Sequence, residues 1–278
     1  MTAVEDDTLP QRAQEGPSAL ALYRRKNLIK LADVPDYSVV IPVKEERDNV
    51  LPLAREIVAA LGSAAFEIIF VDDCSKDDTV AVLASAQSEL PMVRCLRHDR
   101  NCGQSSAIRT GIFASRAKVI VTLDGDGQND PADIPALITK FDDIQGTNVA
   151  MVGGHRMKRQ DTWHKRAASQ AANGIRSRLL GDNTQDAGCG LKIFYREAYL
   201  RLPYFDHMHR FMSALMLREG FEVEFVPVSH RPRRHGASKY GVLDRLWVSL
   251  SDIMGVMWLS RRCRLPAKLD EMDRPSEP

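Results

Sequence analysis

The sequence predicts an α/β fold in which a mostly parallel central sheet has helices on both faces, followed by a C-terminal helix suited to a membrane interface. Three observations predict it. Short β-branched apolar runs such as SVVIPV, EIIFV and KVIVTL alternate with helical segments between residues 37 and 123. Those runs are apolar at successive positions, so both faces of each strand need cover. Acidic and polar residues gather directly after the runs, where sheets of this kind bind ligands beyond the carboxyl ends of their strands.

Residues 1–35 are polar and poor in aromatics, an extension expected to carry little order. The first strand starts at Tyr37. In LPLAREIVAALG the residues Leu53, Ile57 and Leu61 share one helical face, with Asp48 placed to cap its start and Gly62 its end. EIIFV (67–71) forms the second strand. SKDDTVAVLASAQ opens a helix with the capping-box pattern at Ser75 and Asp78. MVRCL (92–96), a helix from SSAIRTGIFASR and KVIVTL (118–123) follow. Beyond residue 145 the alternation loosens: NVAMVGG, CGLKIFY and EVEFVPV read as strands, with a helix near Phe211–Arg218. The division expected is one domain over 36–240, an amphipathic helix over 241–265 and a polar tail over 266–278.

Composition narrows the function. A formal net charge of +1 excludes a global field that recruits nucleic acid. Five scattered cysteines with no CxxC pair suit neither a disulfide framework nor a zinc site and fit a reducing cytosol. Acids and prolines occupy the N-terminus, where a signal peptide needs a basic start and an apolar run; a chain that is not exported is expected. The longest apolar stretch, Leu246 to Leu259, is interrupted by Ser249, Ser251 and Asp252, too short to span a bilayer and long enough to lie on one.

Two acidic groups fall at strand ends. VDDCS places Asp72 and Asp73 after the second strand, and TLDGDGQ places Asp124, Asp126 and Gln128 after the fourth. In D-x-D-x-Q the intervening Gly125 and Gly127 let the backbone turn tightly and leave room for a phosphate. Oxygen ligands at that spacing suit Mg²⁺ or Mn²⁺, which share their sites with substrate phosphates. A solvated acidic turn is the plainer alternative for an isolated D-x-D; the second acidic pair on a neighbouring strand favours the metal.

With these residues in view, the chain resembles the family-2 glycosyltransferases of GT-A fold, and within them the dolichyl- and undecaprenyl-phosphate glycosyltransferases. The resemblance covers roughly residues 37 to 262. IPVKEERDNV, FVDDCSKDDT, RNCGQSSAIRTG, DGDGQNDP, GGHR, TQDAGCGLKIFYRE, HRF and HGASKYG are similar to family segments in the same order. It implies that Pro42 and Glu46 border the nucleotide, that Asp72 or Asp73 accepts from the base, and that Asp126 and Gln128 hold the metal. Asp124 then lies beside the ribose and diphosphate and shares in the metal site, and Asp186 is a catalytic or orienting carboxylate. Lys44-Glu45 stands where the family has Tyr-Asn, at the base-stacking position. Asn129 replaces the Asp after the metal-motif Gln, with Asp130 beside it to take its place.

The second half reads as the acceptor side. Arg156, Lys165 and Arg176 belong to a basic stretch whose plain reading is a solvated basic face; the functional reading makes Arg156, Lys165, Ser169 and Arg210 a cradle for a lipid phosphate. An ionised phosphate oxygen needs no activating base, which accounts for the lack of a Ser-His-Asp pattern. Arg231 and Lys239 lie in a segment of glycines and cations with the look of a mobile loop over a diphosphate. In the last helix Leu246, Leu250, Ile253 and Met257 make a stripe, flanked by Trp247, Trp258, Arg261, Arg262 and Arg264; a core helix is the alternative. The expected partners are a nucleotide sugar (UDP, with GDP as the other choice), a polyprenyl phosphate and the inner face of the cell membrane. A homo-oligomer is compatible with this reading. Transfer to a saccharide or protein hydroxyl, and nucleotide-sugar binding without turnover, are the rival functions.

Overall fold

The structure, a computed structural model, describes residues 34–156, 174, 176–182, 184, 186–232 and 242–264, and of 242–249 only the backbone. The extension expected at 1–35 therefore lies almost wholly outside the described residues. The elements are β1 (Tyr37–Val43), α1 (Arg47–Leu61), β2 (Phe66–Asp72), α2 (Thr79–Glu89), β3 (Val93–Arg97), α3 (Gln104–Ala114), β4 (Val119–Thr122) and α4 (Ile134–Asp143). After these come β5 (Val149–Arg156), β6 (Lys192–Tyr195), α5 (Arg196–Arg201), α6 (Met212–Arg218), β7 (Glu222–Val228) and α7 (Val242–Arg262). Among the described residues the strands form one sheet in the order β3-β2-β1-β4-β6-β5-β7.

The unbroken apolar runs are explained by two cores. Alternation along a strand sends Val39, Ile41, Ile68 and Phe70 to the layer of α1, α2 and α4, and Val40, Ile69 and Val71 to that of α3, α5 and α6. β1 to β4 are parallel, as each strand is returned to the same edge by a helix. β6 alone runs against its neighbours, antiparallel to β4 and to β5. Strand order reverses between β1 and β4. All strands but β6 therefore finish at one rim, with a crevice at the switch point.

Local expectations met different fates. Gly62 closes α1 with φ 53° and its amide on the Val58 carbonyl, as expected, whereas Asp48 lies inside the first turn and caps nothing. The capping box at Ser75 and Asp78 does not form. The Ser75 hydroxyl accepts instead from the Glu45 amide at 2.8 Å, and it is Asp77 that accepts from the Thr79 amide at 3.1 Å. The stripe expected on α7 is also rotated. Val256 is buried and Ile253 packs against the core beside α6, while Leu250, Met254 and Trp258, 46%, 58% and 59% exposed, form an outward face. Arg218 fastens the helix by donating to the Leu259 carbonyl at 3.2 Å. The helix is thus partly core and partly free surface. Among the described residues no helix is long and apolar enough to cross a membrane.

Candidate active site

The rim of β1 and β2 is shaped by two buried carboxylates that point into the protein. Asp72 accepts from the Ser75 amide at 3.2 Å and pairs with Arg97 at 3.4 Å. Asp73 accepts from the Cys102 and Gly103 amides at 2.8 Å each and faces His98 Nδ1 at 2.8 Å. His98 Nε2 meets the Thr110 hydroxyl at 2.9 Å. Asp73, His98 and Cys102 bring three ligand types within 4.8 Å of one another; with both ring nitrogens engaged, the cluster acts as a brace for the loop before α3. Pro42 is half-buried at the end of β1. Glu46 follows it, its amide on the Thr79 hydroxyl at 2.9 Å and its carboxylate accepting from Asn49 at 2.7 Å.

Asp124 stands at the centre of the crevice, two residues beyond β4. Its amide donates to Asn129 Oδ1 at 3.0 Å, and its carboxylate accepts from Gln104 Nε2, the first residue of α3, at 2.8 Å. The carboxyl is pushed up to about 6, first by burial and then by the charge of Asp126, while Lys192, Arg156 and Gln104 pull the other way. Two glycines make this approach possible. A Cβ at Gly125 would fall 2.8 Å from the Pro42 carbonyl oxygen, and one at Gly190 2.5 Å from Asp124 Cγ. The Gln128 amide donates to Asp126 Oδ1 at 3.1 Å, closing the turn. Asn129 is buried and braces the loop, whereas Asp130 accepts from the Ala132 amide at 3.0 Å and pairs with Arg231 at 2.6 Å.

Across the crevice, Arg156 ends β5 and grips Asp186 with two parallel hydrogen bonds, 2.5 and 2.7 Å. Burial opposes the guanidinium charge, but Asp186 outweighs it and raises Arg156. Lys192, whose ammonium donates to the Cys189 carbonyl, opens β6 beside them; burial lowers its pKa. His209 Nδ1 meets the Ser105 hydroxyl at 2.7 Å, and burial, then Arg210, Lys192 and His207, keep the ring well below the ordinary histidine value and neutral. Arg210 is half-buried in the same segment.

The structure thus gathers Asp124, Asp126, Gln128, Arg156 and Asp186 at one rim. Arg231 sits to the side, tied to Asp130 and to Glu56. Lys165, Ser169 and Lys239 lie outside the described residues. Arg176, read as part of a basic face, is buried on Asp182 at 2.8 Å and donates to the Arg210 carbonyl at 3.1 Å, so it braces the fold and is closed to an acceptor. Gln104, Lys192 and the Ser105–His209 pair were not singled out as site residues. Gln104 and Ser105 lie in RNCGQSSAIRTG, Lys192 in TQDAGCGLKIFYRE and His209 in HRF, and it is strand order that brings Lys192 to the rim.

Comparison with known proteins bears on the family and the fold. The model of "Glycosyl transferase family 2" matches residues 38–202, more than half of the chain. The dodecaprenyl-phosphate galacturonate synthase of Rhizobium johnstonii is 32% identical over 81% of this chain and 68% of its own. The undecaprenyl-phosphate 4-deoxy-4-formamido-L-arabinose transferase of Edwardsiella ictaluri is 36% identical over 74% of this chain and 63% of its own. The chain therefore spans about two thirds of the length of these relatives. Glucosyl-3-phosphoglycerate synthase from Mycobacterium tuberculosis, solved with Mn²⁺, UDP-glucose and glycerol 3-phosphate, superposes with TM-score 0.60 at 18% identity, over 94% of this chain and 88% of that one. With Mg²⁺ and UDP the same enzyme gives 0.61 at 17% identity, over 91% and 86%. At such identities the likeness speaks for the GT-A fold alone. Family model, relatives and fold agree: the chain belongs to the family-2 glycosyltransferases.

Proposed function

We propose that the protein transfers a sugar from a nucleotide donor to a polyprenyl phosphate, inverting the anomeric carbon and depending on a divalent cation. The observation that carries the reading is the crowding of Asp124 and Asp126 at the β4 end, with the Asp124 carboxyl raised to about 6. Two carboxylates that disfavour each other's charge form an oxygen donor set that Mg²⁺ or Mn²⁺ would relieve. Asp124, Asp126 and Gln128 would hold the ion, and it would neutralise charge on the departing diphosphate. Pro42, Glu46 and the loops braced by Asp72 and Asp73 border the nucleotide. UDP is the favoured donor, and the named ligands of the M. tuberculosis enzyme support it; GDP is the alternative.

The acceptor reading draws on the names of the two curated relatives and on the cations Arg156, Lys165 and Arg210 with the Ser169 hydroxyl. A phosphate oxygen attacks the anomeric carbon and forms the new C–O bond. The bond to the diphosphate breaks, and the nucleoside diphosphate leaves with its electron pair. No proton has to be removed, in keeping with Asp186 orienting Arg156 rather than serving as a base. Arg231, once released from Asp130 and Glu56, would close over the diphosphate together with Lys239. The outward face of α7, with exposed Arg261, Arg262 and Arg264, rests on the inner membrane surface where the acceptor lies.

The test is incubation with polyprenyl phosphate, Mn²⁺ and a panel of labelled nucleotide sugars. Label extracted into organic solvent, abolished by EDTA, is expected. Label retained only on soluble saccharide or protein, or turnover undiminished by EDTA, refutes the proposal.

A further inference from the structure

Because β6 runs against its neighbours, its first residue arrives where they end. That residue is Lys192. Its Cα is in register with Thr122, two residues before Asp124, and with Gly153, three residues before Arg156. A Cβ at Gly190, two residues earlier, would fall 2.5 Å from the Asp124 carboxylate, and one at Gly188 3.1 Å from the Arg156 guanidinium. Lys192 is therefore carried between the donor-side carboxylates and the acceptor-side ion pair. Arg156 spends its fork on Asp186. Lys192 spends one of its three donors on a neutral carbonyl, and among the described residues no carboxylate lies within ion-pair distance of it. Its field nonetheless reaches Asp124, Asp186 and His209. With Asp124, Asp126 and Asp186 ionised against Arg156 and Lys192, these five described residues carry a net charge of −1. A divalent cation would then make it net positive, ready for an anion. A half-buried ammonium with unused donors is matched by an ionised phosphate oxygen, which gains a charge-assisted hydrogen bond and restores the cation's lost hydration.

We propose that Lys192 binds an ionised phosphate oxygen of the substrates, at the junction of the donor diphosphate and the acceptor phosphate. This rests on the glycosyl-transfer reading above. The two phosphates share one chemistry, and separate binding measurements distinguish them. Lys192→Met keeps the length and bulk of the side chain and removes its charge; Lys192→Arg keeps the charge. Mn²⁺ alone should bind the Met variant at least as tightly as the parent, because a repelling cation has gone. The same variant should lose about 10- to 100-fold in phosphate recognition, and Arg should restore most of it. A loss in UDP or GDP affinity, measured by calorimetry with Mn²⁺, assigns the contact to the donor diphosphate. A loss confined to kcat/KM for a short-chain polyprenyl phosphate in detergent assigns it to the acceptor. Parental values for both phosphates overturn the proposal. So does loss of Mn²⁺ binding in step with them, which marks Lys192 as a scaffold for the metal loop. Should the Met variant not fold, Lys192→Gln takes its place under the same criteria. If the parent itself binds neither UDP nor GDP with Mn²⁺, the glycosyl-transfer reading fails before Lys192 is tested.

Discussion

A single methyl group at Gly190 should disable the crevice and spare the fold. In Gly190→Ala the new Cβ would lie 2.5 Å from Asp124 Cγ and 2.5 and 2.6 Å from the carboxylate oxygens. Ordinary contact begins near 3.4 Å, so the carboxylate must withdraw by 3.4 − 2.5 = 0.9 Å. What gives way is the end of a side chain, not backbone, and the strands need not move. The withdrawal strains the 2.8 Å hydrogen bond from Gln104 and carries Asp124 out of line with Asp126. A displacement of about 1 Å at a reacting centre costs about 10²-fold, or about 2.7 kcal/mol of transition-state stabilisation. Initial rates with labelled nucleotide sugar and polyprenyl phosphate should therefore show kcat/KM down about a hundredfold, with weakened Mn²⁺ affinity and a Tm within a few degrees of the parent. Gly188→Ala is the control: its Cβ meets Arg156 Nη2 at 3.1 Å, a shortfall of tenths of an ångström, and should cost roughly tenfold or less. Parental kcat/KM in folded Gly190→Ala refutes the central place given to Asp124. A collapse in Tm instead makes Gly190 a residue of the scaffold.

Three further outcomes are expected. Asp124 has a folded-state pKa of about 6 against an ordinary 3.8, so its charge opposes folding, with a cost that grows from pH 4 to 6 and is complete above. In EDTA, Asp124→Asn should gain up to about 3 kcal/mol at pH 8 and nothing below pH 4, and a urea titration showing no gain at pH 8 contradicts the assignment. Glu67, a buried residue at the start of β2, accepts from Ser38 at 2.6 Å, from the Arg116 amide at 2.7 Å and from Arg94. Burial alone would raise its pKa, but these bonds prevail and lower it below the usual 4.5. Its contribution is therefore present above that value and lost as pH falls through the lower, folded one; Glu67→Gln should cost about 3–5 kcal/mol at pH 7 and less near pH 3, and equal urea midpoints at pH 7 would argue against it. Finally, replacing Leu250, Met254 and Trp258 together by Gln should abolish co-sedimentation with anionic vesicles without lowering Tm, because none of the three is buried; undiminished sedimentation removes α7 from the membrane contact.

The fold was legible where its causes are local. Between Tyr37 and Thr122 each strand is followed by the helix that covers it, and run length and periodicity suffice. The orientation of β6 is another matter. Lys192 pairs with Thr122, seventy residues earlier, and nothing within KIFY records a direction. The missed capping box has the same origin. Ser75 has the composition of a cap, but Glu45, thirty residues away in the chain, offers its amide first. On α7, periodicity shows that apolar residues recur but not which of two apolar faces meets α6.

Reading the site from sequence was limited by direction more than by identity. Asp72, Asp73, Asp124 and Asp126 are all acids after apolar strands, and spacing alone gives them equal standing. Backbone turns separate them: Cys74 takes φ 61°, and beyond it the Ser75 amide turns back onto Asp72, while the Cys102 and Gly103 amides close on Asp73. The first pair is thereby used up in bracing loops. Among the described residues the Asp124 carboxylate receives one side-chain amide, from Gln104, and no cation forms a full ion pair with it. A carboxylate left so incompletely compensated destabilises the fold, a cost that the proposed cation would remove. What sets Asp124 apart from Asp72 and Asp73 is how little the described residues do to satisfy its carboxylate, a property no motif displays.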